Sequence, residues 1–129
     1  QRCVKYTPEM VEESMEMLSR LGVNKFLIVT EDIDFAKSYF AAANTKYDLQ
    51  YQASSETEDF ITLISHRYLI AANSTFSWIA GAVGLAELFI STEYFYKQAD
   101  KPKNLTNEIV MSFSGEILNR SDHLSKIIE

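Results

Sequence analysis

Three hydroxyl side chains, Ser74, Thr75 and Ser77, lie within five residues of one another in the segment Asn73–Ser77. The segment directly follows the compact apolar run Tyr68–Ala72. The run predicts a strand, and the hydroxyl-rich segment predicts a turn and the start of a helix. Free N–H groups at a helix N-terminus and the helix dipole both favour an anion such as a diphosphate. The alternative is that Ser74 or Thr75 only caps the helix, because Ser and Thr are preferred caps.

A second polar segment, Thr30-Glu31-Asp32, follows another apolar run, Phe26–Val29. In open α/β sheets, ligands bind outside the carboxyl ends of the strands, so both segments are candidates for one site. Glu31 and Asp32 could contact a nucleotide there. The alternative for Asp32 is a helix cap, since Asp is a preferred N-cap residue. For His66, a role as a base competes with a role at a helix C-terminus, where a positive charge is favoured by the dipole.

Composition excludes several other classes of site. Cys3 is the single cysteine, so an internal disulfide and a cysteine-based zinc site are both excluded. His66 and His123 are the two histidines, and neither has a second ligand at metal-binding spacing. The net charge of −6 and the lack of a Lys/Arg cluster argue against a nucleic-acid surface. The chain begins with Gln, which is compatible with a trimmed piece of a longer protein, so the sequence leaves the cellular compartment open.

Helical and strand patterns alternate along the chain. The predicted helices begin near Pro8, Asp32, Ser55 and Phe76. The predicted strands are Phe26–Val29, Tyr47–Gln52, Tyr68–Ala72 and Leu88–Ile90, and we expect the first to be buried on both faces. Alternating strands and helices predict parallel βαβ units. The expected fold class is therefore α/β, with a Rossmann-like parallel sheet and flanking helices in a single domain, 1–129. The tail 104–129 stays unplaced, apart from a possible last helix capped by Asp122.

The segment Asp59–Trp78 resembles the signature of the α-1,2-fucosyltransferases. That family commonly has Asp, then Leu-Met-Ser, then an apolar strand, then Asn-Ser-Thr/Ser-Phe-Ser-Trp-Trp. Here the order is Asp59, Leu-Ile-Ser at 63–65, the apolar run and Asn-Ser-Thr-Phe-Ser-Trp at 73–78. Phe26–Lys37 is similar to the family's Phe-Ser-Asp-Asp-Ile-Glu-Trp segment, and Leu88–Lys97 is a looser match. The sequence departs from the pattern at Thr30–Asp32 and at Ile79, where the family has a second Trp.

The resemblance implies the C-terminal, donor-binding half of a two-domain GT-B glycosyltransferase. The reaction it implies is metal-independent and inverting: fucose passes from GDP-fucose to a sugar hydroxyl, galactose O2 being the expected acceptor atom. Implied partners are the nucleotide sugar, an acceptor glycan and a preceding domain whose His-x-Arg-Arg motif has no match here; no cofactor and no nucleic acid are expected. Ser74, Thr75 and Ser77 would face the diphosphate, and Asp59 would accept N–H groups from guanine or bond the ribose. The full set of implied donor-binding residues is Asp32, Asp59, Asn73, Ser74, Thr75, Phe76 and Ser77.

Two other interpretations stay open. A degenerate glycosyltransferase-like domain could act as a binding or interaction module without turnover. A receiver-like α/β domain could use Glu31 and Asp32, although it would also require an acidic phosphoacceptor at a later strand end, and none is evident. The aromatic cluster Tyr94–Tyr96 could line a sugar pocket or form a small packed cluster.

Overall fold

The computed structural model describes residues 8–71, 75–92, 107–112 and 114–120. Its α-helices are α1 Pro8–Arg20, α2 Ile33–Tyr39, α3 Glu56–Ile64 and α4 Thr75–Val83, with a short 3-10 helix at Ala43–Thr45. Its strands are β1 Lys25–Val29, β2 Asp48–Gln52, β3 Tyr68–Ile70, β4 Leu88–Thr92, β5 Glu108–Met111 and β6 Ile117–Asn119. Helices and strands alternate up to β4, as the sequence pattern predicts.

Local sequence signals account for the helix ends. Asp32 caps α2, its carboxylate accepting the Phe35 N–H at 3.0 Å. Ser55 and Glu58 form a complete capping box at the start of α3. Gly22 lies just beyond the end of α1 with a φ of 95°, in the left-handed region that glycine enters without steric cost.

The strands form two hydrogen-bonded sheets. β1 pairs with β2 in parallel, and the second sheet has the order β3-β4-β5-β6. Pairing is parallel from β3 to β5 and antiparallel between β5 and β6. The chain is therefore an α/β protein with parallel strands, as expected, although its strands do not join in one continuous ladder.

The two sheets nevertheless share one helical layer. The buried face of α1, Ala36 of α2 and Phe40, which caps the end of α2, pack on side chains from all of β1 to β5. The side chains in this shared cluster include Phe26, Ile28, Leu49, Tyr51, Tyr68, Ile70, Leu88, Ile90, Ile109 and Met111. The opposite face of β3 and β4 packs on α3 and α4, through a smaller cluster centred on Phe89. α1 and α2 thus contribute to one cluster with both sheets, whereas α3 and α4 cover the opposite face only at β3 and β4.

One expectation needs correction, and part of the unplaced tail gains a position. β1 is not buried on both faces: Leu27 is 38% exposed, and the strand's remaining side chains are exposed or half-buried. The reason is that α3 and α4 pack mainly on β3 and β4, while an open gap adjoins β1. The tail, in contrast, supplies β5, whose four residues are all buried. Cys3, His123, the Tyr94–Tyr96 cluster and the helix expected after Asp122 lie outside the described residues.

Candidate functional site

A cavity of about 750 Å³ separates β1 from β3. Both strands line it, together with the inner face of α1 and one side of α3. β2 is hydrogen-bonded to one edge of β1, and the cavity is lined by β3 but by no residue of β2, so β3 lies beyond the opposite edge of β1. The strand order therefore reverses at the cavity. In open α/β sheets this reversal is the usual place for a ligand. The cavity is therefore the candidate site that the topology itself defines.

Backbone groups face the cavity from both walls. Thr30 N–H donates to Gln52 O at 2.9 Å, so the even-numbered residues of β1 direct their backbone groups towards β2. The odd-numbered residues of β1 therefore direct theirs towards the cavity. On the other wall Ala71 N–H donates to Ile90 O at 2.8 Å, which leaves the backbone groups of Tyr68 and Ile70 on the cavity side. Within the described part of the chain, no strand fills this space.

The two ends of the cavity differ in charge. At the carboxyl ends of the strands it is lined by acidic and hydroxyl side chains: Thr30, Glu31, Ser54, Glu56, Asp59 and Ser77. At the opposite end it is lined by Lys25, His66 and Arg67. Two residues of the predicted site, Asp59 and Ser77, thus lie at the same mouth although 18 positions separate them in sequence.

Asp59 is buried, with 9% of its surface exposed, in the first half of α3. Its Oδ1 accepts the Gln52 side-chain amide at 2.9 Å and the Ser54 backbone N–H at 3.3 Å. Gln52 also donates to Thr62 Oγ1 at 2.9 Å. These bonds join the end of β2 to α3 and hold the carboxylate at the cavity mouth. Asp59 therefore has a structural role in addition to any ligand contact.

The hydroxyl-rich segment is described in part. Asn73 and Ser74 lie outside the described residues, and the backbone of Thr75 and Phe76 forms the first turn of α4. Ser77 is 6% exposed and reaches the cavity wall. A turn between strand and helix follows from the bounds of β3 and α4, whereas the contacts of Ser74 and Thr75 with a ligand stay predictions.

Asp32 and the basic residues have local partners. Asp32 serves as the α2 cap and does not line the cavity, whereas Glu31 does. Arg67 pairs with Glu87 at the start of β3, and the hydrogen bond and negative charge of Glu87 raise the pKa of the Arg67 guanidinium above its usual value. His66 Nδ1 lies 2.7 Å from Thr62 O near the end of α3, consistent with a helix-terminus role. Lys37 lies over the Tyr51 ring at 5.9 Å.

A buried carboxylate was missed by the sequence prediction. Glu108, 1% exposed, begins β5, and its Oε2 accepts the Trp78 indole N–H at 2.9 Å and the Ser91 hydroxyl. Trp78 belongs to the segment that resembles the fucosyltransferase signature. A carboxylate immediately before Ile-Val-Met at 109–111 was the available signal, but a single Glu beside an apolar run usually marks a solvated strand end.

Within the described residues, no three His, Cys, Asp or Glu side chains are grouped so that they could hold a metal ion. None of the described helices has the length and apolar character required to cross a membrane.

Comparisons with protein-family models, with curated proteins and with solved structures found no match to this chain.

Proposed function

We propose that this chain binds the donor of a fucosyl transfer, GDP-fucose, as the C-terminal half of a GT-B α-1,2-fucosyltransferase. The observation that carries the proposal is the joint position of Asp59 and Ser77. Both belong to the segment that resembles the family signature, and both line the mouth of the cavity between β1 and β3. That mouth lies at the carboxyl ends of the strands, where α/β domains bind nucleotides.

The chemistry of the mouth suits a guanine nucleotide. The Asp59 carboxylate uses Oδ1 for its bonds to Gln52 and Ser54, so Oδ2 is available to accept an N–H from the guanine edge. In this proposal the diphosphate binds at the N-terminus of α4, beside Ser77, where the backbone N–H groups and the positive end of the helix dipole favour an anion. Ser74 Oγ would add a hydrogen bond to a phosphate oxygen. Asp32 contributes through the α2 cap in this proposal rather than through direct contact.

The experiment is a calorimetric titration of residues 1–129 with GDP, GDP-fucose, ADP and UDP. We expect GDP and GDP-fucose to bind and the other two nucleotides to bind at least about tenfold more weakly, because adenine and uracil lack the two adjacent N–H donors of guanine, both of which the two lone pairs of Oδ2 can accept. Asp59→Asn keeps an Oδ1 acceptor for Gln52 and Ser54 but removes the charge, so it should reduce the preference for guanine without unfolding the domain.

Ser74→Ala tests the phosphate contact. Its affinity for GDP should fall by about 1–2 kcal/mol if the hydroxyl bonds a charged oxygen. Thr57→Ala is a matched control, because it removes a hydroxyl from the first turn of a different helix, α3. Equal binding of all the nucleotides, or no binding of any, would contradict the proposal. Binding of GDP that Ser74→Ala leaves unchanged would return Ser74 to a capping role.

A further inference from the structure

The hydrogen bonds of Glu108 connect the last parallel strand to the helix that carries the proposed diphosphate site. The carboxylate lies between α4 and the sheet, and its Oε2 accepts from both Trp78 Nε1 and Ser91 Oγ. In the β4–β5 ladder Glu108 is opposite Phe89, so its side chain extends towards the carboxyl end of the sheet to reach Ser91. The Glu108 side chain thus extends towards the first turn of α4, where it accepts the hydrogen bond from the indole nitrogen of Trp78.

A buried carboxylate at this position is costly unless the bonds are well formed. Glu108 is 1% exposed and has apolar neighbours in the strand, Ile109 and Val110, which are also buried. Desolvation of a carboxylate costs several kcal/mol unless hydrogen-bond donors compensate for the lost water. A methionine or leucine would fill the same volume without that cost. Packing alone therefore does not account for an acidic residue here, whereas hydrogen bonds such as those from the Trp78 indole and the Ser91 hydroxyl do.

Without this bond, the first turn of α4 would have fewer constraints. The first four N–H groups of a helix have no intrahelical acceptor, so a helix start frays unless side chains hold it. The far end of α4 is already fixed, because Gly81 packs directly on the Phe89 ring. The Trp78–Glu108 bond supplies a second fixed point one turn nearer the cavity. The two points together set the direction in which the α4 N-terminus faces the ligand.

We propose that Glu108 is a positioning residue that orients the α4 N-terminus for the diphosphate by holding the Trp78 indole. The ligand part of this inference rests on the proposed function, whereas the positioning part is independent of it. Trp78 is the single tryptophan of the chain, so its indole N–H gives one resolvable signal in a ¹H–¹⁵N spectrum.

Three variants distinguish the effect of the hydrogen-bond acceptor at position 108 from the effects of side-chain volume and charge. Glu108→Gln keeps an oxygen acceptor, Glu108→Met keeps the approximate volume without an acceptor, and Ser91→Ala removes a second donor while leaving the indole bond. In the wild type, Glu108→Gln and Ser91→Ala, we expect a downfield indole N–H that exchanges slowly with solvent. In Glu108→Met we expect that signal to move upfield and to exchange at least about tenfold faster.

Backbone exchange tests positioning without any ligand. The amides of Ile79 and Ala80 report on the first turn of α4, because their helical acceptors are the carbonyls four residues earlier. Glu108→Met should accelerate their exchange more than that of Ile90 in β4, whereas a general loss of stability would accelerate all three equally. Equal acceleration, an unchanged indole signal in Glu108→Met, or a defect as large in Glu108→Gln as in Glu108→Met would overturn the inference.

GDP binding supplies the last readout. We expect Glu108→Met to bind GDP at least about fivefold more weakly than Glu108→Gln. If the wild type binds no GDP, the proposed function fails and the exchange experiment still decides whether Glu108 positions α4. If the wild type binds GDP and the two variants bind it equally, the link from Glu108 to the ligand is wrong.

Discussion

Asp59 is a buried acid whose neighbours explain why a carboxylate is needed there even without a ligand. It accepts from the side chain of Gln52 and from the backbone of Ser54, and thereby closes the connection between β2 and α3. Without the carboxylate, both donors must bond to water at a partly buried site. A buried donor left without an acceptor costs more free energy than a typical hydrogen bond contributes to stability.

We therefore expect Asp59→Ala to lower the free energy of unfolding by ~1–2 kcal/mol. Asp59→Asn should lower it by less than half of that, because the amide oxygen still accepts. Urea denaturation followed by circular dichroism measures both changes. An alanine variant as stable as the wild type would mean that the β2–α3 connection is held mainly by its other bonds.

At the residue scale, the sequence predicted the interactions between residues that are close together along the chain. The caps at Asp32 and Ser55 depend on atoms three residues away, so the sequence pattern identified them directly. The bond between Trp78 and Glu108 joins positions 30 residues apart across a strand that the sequence did not predict. Without that strand there was no reason to place a carboxylate beside the indole. Ser77 was expected to face the diphosphate; it is buried and lines the cavity between β1 and β3, and its contact with a ligand stays a prediction.

At the scale of elements, α4 approaches β4 very closely at a glycine. A Cβ built on Gly81 would lie 2.5 Å from the Phe89 ring, which is fully buried. The ring has little room to move, because it is the centre of the cluster between β4 and the α3–α4 layer. The close approach also determines how α4 runs towards the cavity.

Gly81→Ala should destabilise the protein by ~1–3 kcal/mol, the usual cost of forcing extra volume into a packed core, although alanine is the better helix former. The variant with Ala82→Gly is a matched control, because it changes the neighbouring position in the opposite sense. Thermal unfolding in parallel with urea denaturation checks the change. A stabilised Gly81→Ala variant would show that helix propensity outweighs the contact.

The gap between β1 and β3 leads to a specific prediction about the exchange rates of the backbone amides in β1. Ile28 and Thr30 direct their N–H groups towards β2, whereas Leu27 and Val29 direct theirs towards the cavity. We expect Leu27 and Val29 to exchange at least about tenfold faster than Ile28, since hydrogen-bonded strand amides exchange only through opening. Leu69, bonded to β4, is the reference on the other wall. Equal protection of Leu27 and Ile28 would indicate that β1 and β3 pair directly in solution.

The periodicity of the sequence predicted which segments form helices and strands, but it did not predict which other elements pack against them. The apolar run at Phe26–Val29 predicted a strand correctly, but its burial depends on which helices cover it. β5 was missed because its four residues follow a polar stretch of sequence and include a charge, features that weaken a strand pattern. Its burial comes from pairing with β4, a contact that is distant in sequence.

At the scale of the whole molecule, charge is distributed along the cavity in a way that bears on catalysis. The mouth near the proposed donor site is lined by Glu31, Glu56 and Asp59. The cationic side chains of the cavity, Lys25 and Arg67, lie at the opposite end, and Arg67 is paired with Glu87. A bound diphosphate would therefore gain backbone N–H groups and a helix dipole from the described residues, but little direct positive charge.

This distribution leads to the prediction that residues 1–129 alone transfer no fucose even when they bind GDP-fucose. As fucose leaves, negative charge develops on the diphosphate, and the loss of one group that stabilises such charge typically slows a reaction by ~100-fold or more. Lys37 cannot supply it, because it lies a full turn into α2 and over the Tyr51 ring. In the proposed two-domain arrangement the other half also orients the acceptor hydroxyl, and that positioning contributes several further orders of magnitude. The measurement is GDP release from GDP-fucose with a panel of galactosides, with a two-domain α-1,2-fucosyltransferase in parallel as the positive control. Acceptor-dependent GDP release by residues 1–129 would show that the catalytic groups lie within this chain, and the proposed division between two halves would then be wrong.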